Sequence, residues 1–334
     1  MSKADVAAAI LWIGATLYAI FGGADFGGGL WDLIAGDAEK GERPRALIQR
    51  SLTPVWEANH VWLIFILVVL WTAFPEAFAA ITSTLYVPLA LAAVGIVLRG
   101  TGFAFRKSIR SLEARRAMGA AFALSSVLTP FFMGTVVGAV ASGSVPPEGN
   151  GDAFSSWLAP LPLLAGAIFV ASGAYLAAVF LIADARRAGD VELEEYFARR
   201  SLAAAAVAGT FAAAGVFALH ADARYVFDGL TAEGLPLMIL SGACGLAVLA
   251  LLGRGARRGL RPLAVLTVAA LIWGWGVAQH PYLLPTSLEI SDAAAPGPTL
   301  TSILVVFGVA AVLILPALGL LYALTQRDLV GEGE

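Results

Sequence analysis

The chain has 334 residues, of which 59% are hydrophobic and only 13% charged, with a mean hydropathy of +0.82; soluble domains carry about 45–50% apolar and about 25% charged residues. A soluble fold of this length cannot hide so much apolar surface behind a water-facing skin, so lipid is the solvent and the chain reads as an integral membrane protein. A net charge of −3 leaves no basic nucleic-acid footprint, and Cys244, the single cysteine, excludes an intrachain disulfide, a cysteine cluster and a covalent haem motif.

A spanning helix needs about 20 mainly apolar residues at about 1.5 Å each. Nine runs meet that length, near residues 5–30, 55–74, 77–99, 117–141, 158–183, 201–220, 235–253, 262–279 and 300–325. Hydrocarbon offers backbone amides no partner, so each run is a helix, and run length excludes the strands of a barrel. The expected fold is all-α, a polytopic membrane protein forming a single transmembrane domain over residues 1–334. Four helices, a long basic loop near residues 184–200 and four more suggest two four-helix bundles plus one extra helix, although no repeat marks the division. Lys3 is the only basic residue before the first run and no cleavage pattern follows it, so that run is expected to stay in the mature protein. Cys244 reads as a small core residue.

Basic residues of membrane proteins collect in cytoplasmic loops. Loop one holds Lys40, Arg43, Arg45 and Arg50; loop three holds Arg99, Arg106, Lys107, Arg110, Arg115 and Arg116. Arg186, Arg187, Arg199 and Arg200 fall in loop five, Arg254, Arg257, Arg258 and Arg261 in loop seven, and Arg327 in the tail. Of the 21 basic residues only Lys3 and Arg224 lie on the other side. The expected topology has the N-terminus outside and the C-terminus cytoplasmic. Prolines and acids such as Pro146, Pro147, Glu148, Asp152, Pro281 and Pro285 are expected to form ordered or semi-ordered caps on the outer face.

An ionisable residue inside a span is costly unless it faces protein or water, so the few present are functional candidates. Asp25 lies in Gly22-Gly23-Ala24-Asp25-Phe26-Gly27-Gly28-Gly29, toward the cytoplasmic end of the first helix, and Asp32 two turns later reads as interfacial. Gly23, Gly27, Gly28 and Gly29 let another helix approach and shield the carboxylate; a plain packing helix with a capping acid is the alternative. The second cluster is Trp56-Glu57-Ala58-Asn59-His60-Val61-Trp62 at the start of helix two. Glu57 and His60 stand three apart with Asn59 beside them, and a buried carboxylate near an imidazole exchanges protons near neutral pH. The tryptophans also suit interface anchors. His280, before Pro281, reads as a hydrogen-bonded cap and His220 as a surface residue. Both are expected on the face opposite His60, so no metal site is expected.

At these segments the chain resembles subunit II of the cytochrome bd-type quinol oxidases. The family's Asp-Gly-Phe-Asp-x-Gly motif is matched by Gly22-Gly23-Ala24-Asp25-Phe26-Gly27, and its Trp-Asp/Glu-Gly-Asn-Glu/Gln-Val-Trp motif by Trp56-Glu57-Ala58-Asn59-His60-Val61-Trp62. Phe74-Pro75, Tyr86, Arg99-Gly100-Thr101-Gly102-Phe103, Pro281-Tyr282-Leu283-Leu284-Pro285, Pro316 and Tyr322 extend the likeness over essentially the whole chain. The resemblance implies a non-haem subunit of a bacterial plasma-membrane oxidase that couples quinol oxidation to reduction of dioxygen to water. Haem b and haem d, or b-type haem alone, are then expected in the partner, subunit I, against which this chain packs as a pseudo-symmetric half and helps conduct protons from the cytoplasm. By the same resemblance Glu57 inherits the proton-path role, with Asn59, His60 and Asp25 along the path and no catalytic residue in this chain. A bound quinone and small single-helix subunits are further implications. The departures are Gly22 at the first acid, Ala58 at the motif glycine, and His60 where Glu or Gln is usual. Alternative readings are a secondary transporter, which would show related halves and broken helices meeting at mid-membrane, and a membrane scaffold.

Overall fold

The computed structural model describes residues 2–37, 39–52, 56–105 and 112–326, the side chains of residues 57, 103–105, 112–117, 322, 325 and 326 excepted. Helix α1 (Lys3–Leu17) begins on a capping box in which Ser2 Oγ accepts from the Asp5 amide at 3.1 Å and Asp5 Oδ2 accepts from the Ser2 amide at 2.7 Å. A π-helical segment, Tyr18–Gly22, joins it to α2 (Gly23–Leu33), making one apolar stretch of 31 residues. Next come α3 (Glu42–Leu52), α4 (Trp56–Ala73), α5 (Pro75–Thr84), α6 (Tyr86–Phe105), α7 (Leu112–Ala141) and α8 (Pro160–Arg187). The second half holds α9 (Val191–Asp222), α10 (Arg224–Thr231), α11 (Leu235–Gly253), α12 (Leu260–Gln279), a small antiparallel hairpin of β1 (Tyr282–Leu284) and β2 (Leu288–Glu289), and α13 (Gly297–Gln326). Among the described residues seven helical stretches are long and apolar enough to cross a membrane, or eight if α4 and α5 form one span. With the shorter apolar helix α6, every expected run corresponds to a helix.

Two boundaries differ from the sequence expectation. The run expected over 77–99 is broken: α5 turns by 117° from α4, and a separate helix starts at Tyr86 and continues past Arg99. Pro75, at the first position of α5, has no amide to continue α4, and Phe74 before it takes φ −137° and ψ 62°, outside the helical region. The long basic loop expected near 184–200 is instead a turn of three residues between α8 and α9. Gly189 supplies its positive φ of 70° and Asp190 caps α9, accepting from the Leu193 amide at 3.0 Å. That amide and the Arg43 guanidinium, 2.8 Å away, hold the Asp190 carboxyl below the ordinary carboxylate range. Arg186 with Glu194 and Arg257 with Glu195 complete the staple, so the arginines sit on helix ends and tight turns.

The opposite end is closed by ordered loops. Ser83 and Thr84 hydroxyls accept from the Asn150 and Gly151 amides at 3.2 and 3.1 Å, and Gln279, 1% exposed, donates to the Leu283 carbonyl at 2.7 Å. Helix α8 lies at the centre, packed on α2, α7, α9 and α12. Its closest approach is to α2: a Cβ placed on Gly27 would fall on the Gly173 carbonyl, while Trp31 Nε1 donates to the Ala174 carbonyl at 2.8 Å. Small residues let two backbones touch where lipid supplies no hydrophobic drive between helices. Helix α13 lies at the margin, with Val305, Val309, Val312 and Leu313 exposed.

Candidate functional site

Asp25 is 1% exposed and faces Arg99 of α6, itself 2% exposed. Arg99 Nη2 donates to Asp25 Oδ1 at 2.6 Å and to the Asp25 carbonyl at 2.9 Å, while Nη1 donates to Ser126 Oγ on α7. Ser126 Oγ in turn donates a hydrogen bond to the Phe122 carbonyl at 2.6 Å. The guanidinium lies over the rings of Phe26 and Phe122, 4.9 and 4.5 Å from their centroids. Gly29 is what makes room, because a Cβ there would strike Ser126 Oγ and come within 2.9 Å of Arg99 Nη1. The assignment of Arg99 to a cytoplasmic loop is therefore corrected. The apolar run does not end at residue 99, and the charge is tolerated inside because Asp25 neutralises it.

Asp25 Oδ2 has no hydrogen-bond partner among the described residues, and Asp25 lines a cavity of about 450 Å³. The cavity runs between α2, α3, α8 and α12 toward the arginine-rich end of the bundle. Its inner wall includes Phe21, Ala24, Gly28 and Ala177; its outer wall includes Arg50, Asp184, Arg187 and Arg261. Ala177 and Arg187 stand ten residues apart on α8, which makes the cavity about 15 Å deep. Asp184 receives Arg187 and Arg261 together, and Arg261 Nη2 also donates to the Phe180 carbonyl at 2.7 Å.

Asn59, 2% exposed, lines the same cavity from the first turn of α4. His60 is half-buried with Nδ1 2.8 Å from the Trp56 carbonyl; that geometry puts the proton on Nδ1 and leaves Nε2 as an acceptor. Its ring meets Phe26 edge-on at 6.2 Å, so one phenylalanine separates it from the Arg99 guanidinium. The structure thus brings Asp25, Asn59 and His60 together. Glu57 is the second residue of α4, on the same turn, and its side chain lies outside the described residues. Asp32, expected at the interface, is buried at 5% exposure because α3 folds back and sets Arg45 Nε 3.7 Å from its carboxylate.

The other histidines lie elsewhere. His220 Nε2 is 2.6 Å from Arg224, and the His280 carbonyl accepts from the Tyr225 hydroxyl at 3.0 Å while its ring is 3.9 Å from Asp5. Among the described residues no group of three or more His, Cys, Asp or Glu side chains is placed to hold a metal ion. Cys244 is a buried free thiol on α11. Sequence reasoning missed Arg99, Ser126 and the Asp184–Arg261 pair. For Arg99 a signal existed: Gly100 to Phe105 continue the run without another charge.

The family model described as cytochrome bd terminal oxidase subunit II matches residues 4–325. The chain is similar to cytochrome bd-I ubiquinol oxidase subunit 2 of Escherichia coli (strain K12), 28% identical over 219 residues, which are 63% of this chain and 55% of that protein. It is also similar to cytochrome bd ubiquinol oxidase subunit 2 of Bacillus subtilis, 27% identical over 38% of this chain and 36% of that one. The matches thus span 55% of the length of the first relative and 36% of the second. A chain in the structure of bd oxidase from Geobacillus thermodenitrificans superposes with a TM-score of 0.78 at 25% identity, over 99% of this chain and 100% of that one. Matched over nearly its full length, the chain belongs to the cytochrome bd terminal oxidase subunit II family.

Proposed function

We propose that this multi-pass protein is the non-haem half of a bacterial plasma-membrane quinol:oxygen oxidoreductase and that it delivers protons from the cytoplasm to the haem-bearing subunit I. The names of the relatives, ubiquinol oxidase subunit 2 and bd oxidase, support the activity. Haem chemistry is assigned to the partner subunit. The observation that carries the proton-delivery reading is the cavity, which joins a buried carboxylate and the buried Asn59 to the arginine-rich end. That end is the cytoplasmic one if the basic residues follow the positive-inside rule.

The roles follow from the geometry. Arg99 fixes Asp25 Oδ1 and leaves Oδ2 without a donor among the described residues, so Asp25 orients water as a fixed anion. Asn59 offers both a donor and an acceptor on the cavity wall. His60, its ring fixed by the contact of Nδ1 with the Trp56 carbonyl, holds a polar group on that turn, and Glu57 on the same turn is the exchanging carboxylate. A transporter is disfavoured because the buried charges gather at one end of the bundle rather than at mid-membrane.

The test is Glu57→Gln in the assembled oxidase. It removes an exchangeable proton at nearly constant volume, so quinol-driven oxygen consumption should fall by about a hundredfold, the contribution of a positioned proton carrier, while haem content stays intact. Wild-type turnover in that variant would refute the role. Purification of the chain without a haem-bearing partner would refute the oxidase reading itself.

A further inference from the structure

Tyr18 stands at the head of the π-helical segment, seven residues before Asp25 and on the side of Asp25 away from the cavity mouth. A helical tyrosine normally leans toward the N-terminus of its helix. Here the ring lies along Gly22: a Cβ on Gly22 would come within 2.7 Å of Tyr18 Cε2 and 3.4 Å of Cζ. The ring is edge-on to Phe26 at 6.4 Å between centroids, so the phenol points down toward the buried pair. The Phe26 ring also carries the Arg99 guanidinium at 4.9 Å, so one phenylalanine separates the Tyr18 ring from the buried pair. One edge of the ring is partly exposed, but the hydroxyl is sealed from solvent and has no hydrogen-bond partner among the described residues. A sealed, unpaired hydroxyl weakens a fold, and phenylalanine would pack there at no such penalty. π-helical turns frequently sit at functional positions.

We infer that the Tyr18 hydroxyl is a proton-relay group that takes the water chain onward from the Asp25–Arg99 pair toward the membrane interior. This rests on the proton-delivery reading above and extends it beyond the cavity. In each hop the phenolic oxygen gains a proton from the water on the Asp25 side as its own O–H proton passes to the water beyond. The phenol ends unchanged and no electron moves. Asp25, held by Arg99, keeps its charge throughout and steadies the transient positive charge of the chain.

The experiment is Tyr18→Phe in the oxidase assembled with its partner, measured beside Glu57→Gln. The ring and its contacts remain, so haem content and the thermal midpoint should be unchanged or higher, as expected on deleting an unpaired buried hydroxyl. Quinol-driven oxygen consumption should fall by about a hundredfold, with a larger solvent deuterium isotope effect. Wild-type turnover in Tyr18→Phe with slow turnover in Glu57→Gln overturns the Tyr18 role alone; wild-type turnover in both overturns the proton-delivery reading with it. Should Tyr18→Phe fail to assemble, fluorotyrosine at position 18 keeps the hydroxyl and makes it more acidic. The solvent deuterium isotope effect on turnover must then change, and an unchanged effect overturns the inference.

Discussion

The buried pair makes a quantitative prediction. Replacing Asp25 by Leu leaves the Arg99 guanidinium, 2% exposed, with the carbonyl at position 25, Ser126 and the rings of Phe26 and Phe122 around it among the described residues, and no counter-charge. Replacing Arg99 by Met strands the Asp25 carboxylate in the same place. Breaking a buried ion pair from one side costs about 3–5 kcal/mol, and unit charges at about 4 Å attract by about 4 kcal/mol at an effective dielectric of about 20, so both estimates agree in scale. The double variant strands neither charge and should stay within about 1–2 kcal/mol of wild type, because apolar replacement of a whole buried pair is close to neutral. The assay is titration of the solubilised oxidase with denaturing detergent, followed by tryptophan fluorescence, with haem content reporting assembly. Single losses that add within about 0.5 kcal/mol in the double variant would refute the coupling. Turnover then separates stability from function: the double variant, though folded, should reduce oxygen slowly because the cavity no longer ends on an anion.

Three further outcomes follow from the geometry. Gly27→Ala should destabilise by about 1–3 kcal/mol, because its Cβ falls on the Gly173 carbonyl, whereas Gly23→Ala should be neutral, its nearest neighbour being Gly173 Cα at 3.8 Å; the same detergent titration compares them. His60→Gln should be tolerated in turnover, since the amide keeps a polar group on that turn, and complete loss of turnover with the complex intact would make His60 central to transfer. Asp190→Asn should keep the α9 cap, as Asn and Asp cap equally well, but change the pH response. The folded Asp190 carboxyl titrates below its unfolded value of about 3.9, so its stabilisation is present above that value and is lost as pH falls through the lowered one. Unfolding of the wild type should therefore show a component of acid sensitivity that the variant lacks, and identical acid curves would refute it.

The helices were legible because lipid leaves so few solutions: a run of about 20 apolar residues must be a helix. Asp25 was legible as a lone acid among glycines, and the close helix approach inferred from those glycines occurs at Gly27 and Gly173. The spacing of Asn59 and His60 put them on one turn of α4, as found. What escaped depends on partners distant in sequence. Arg99 reads as a loop cation until Asp25, 74 residues away, is placed against it. The break at Phe74 and the tight turn at Gly189 are single-residue backbone events inside or beside long helices, and a hydropathy window averages over them. Tyr18 carries no mark at all within an apolar run, because its significance lies in the absence of a side chain at Gly22.

These features are linked through the packing of α2. Carrying an acid into a low-dielectric interior requires a counter-charge, and the counter-charge must come from a helix that can approach closely. Gly29 admits Arg99 and Ser126 on one face of α2, and Gly27 admits α8 on another. The face carrying Ala24 and Gly28, by contrast, opens on the cavity, where Leu52 of α3 lies 3.0 Å from a Cβ placed on Gly28. Asp25 is thus shielded from lipid by two tight contacts and reached through a third side. With the pair neutral overall, water can contact Asp25 Oδ2 without leaving a net charge in the bilayer. Small residues on three sides of one helical turn therefore both protect the carboxylate and give it access to the arginine-rich end, a combination that a larger side chain at position 27, 28 or 29 would close.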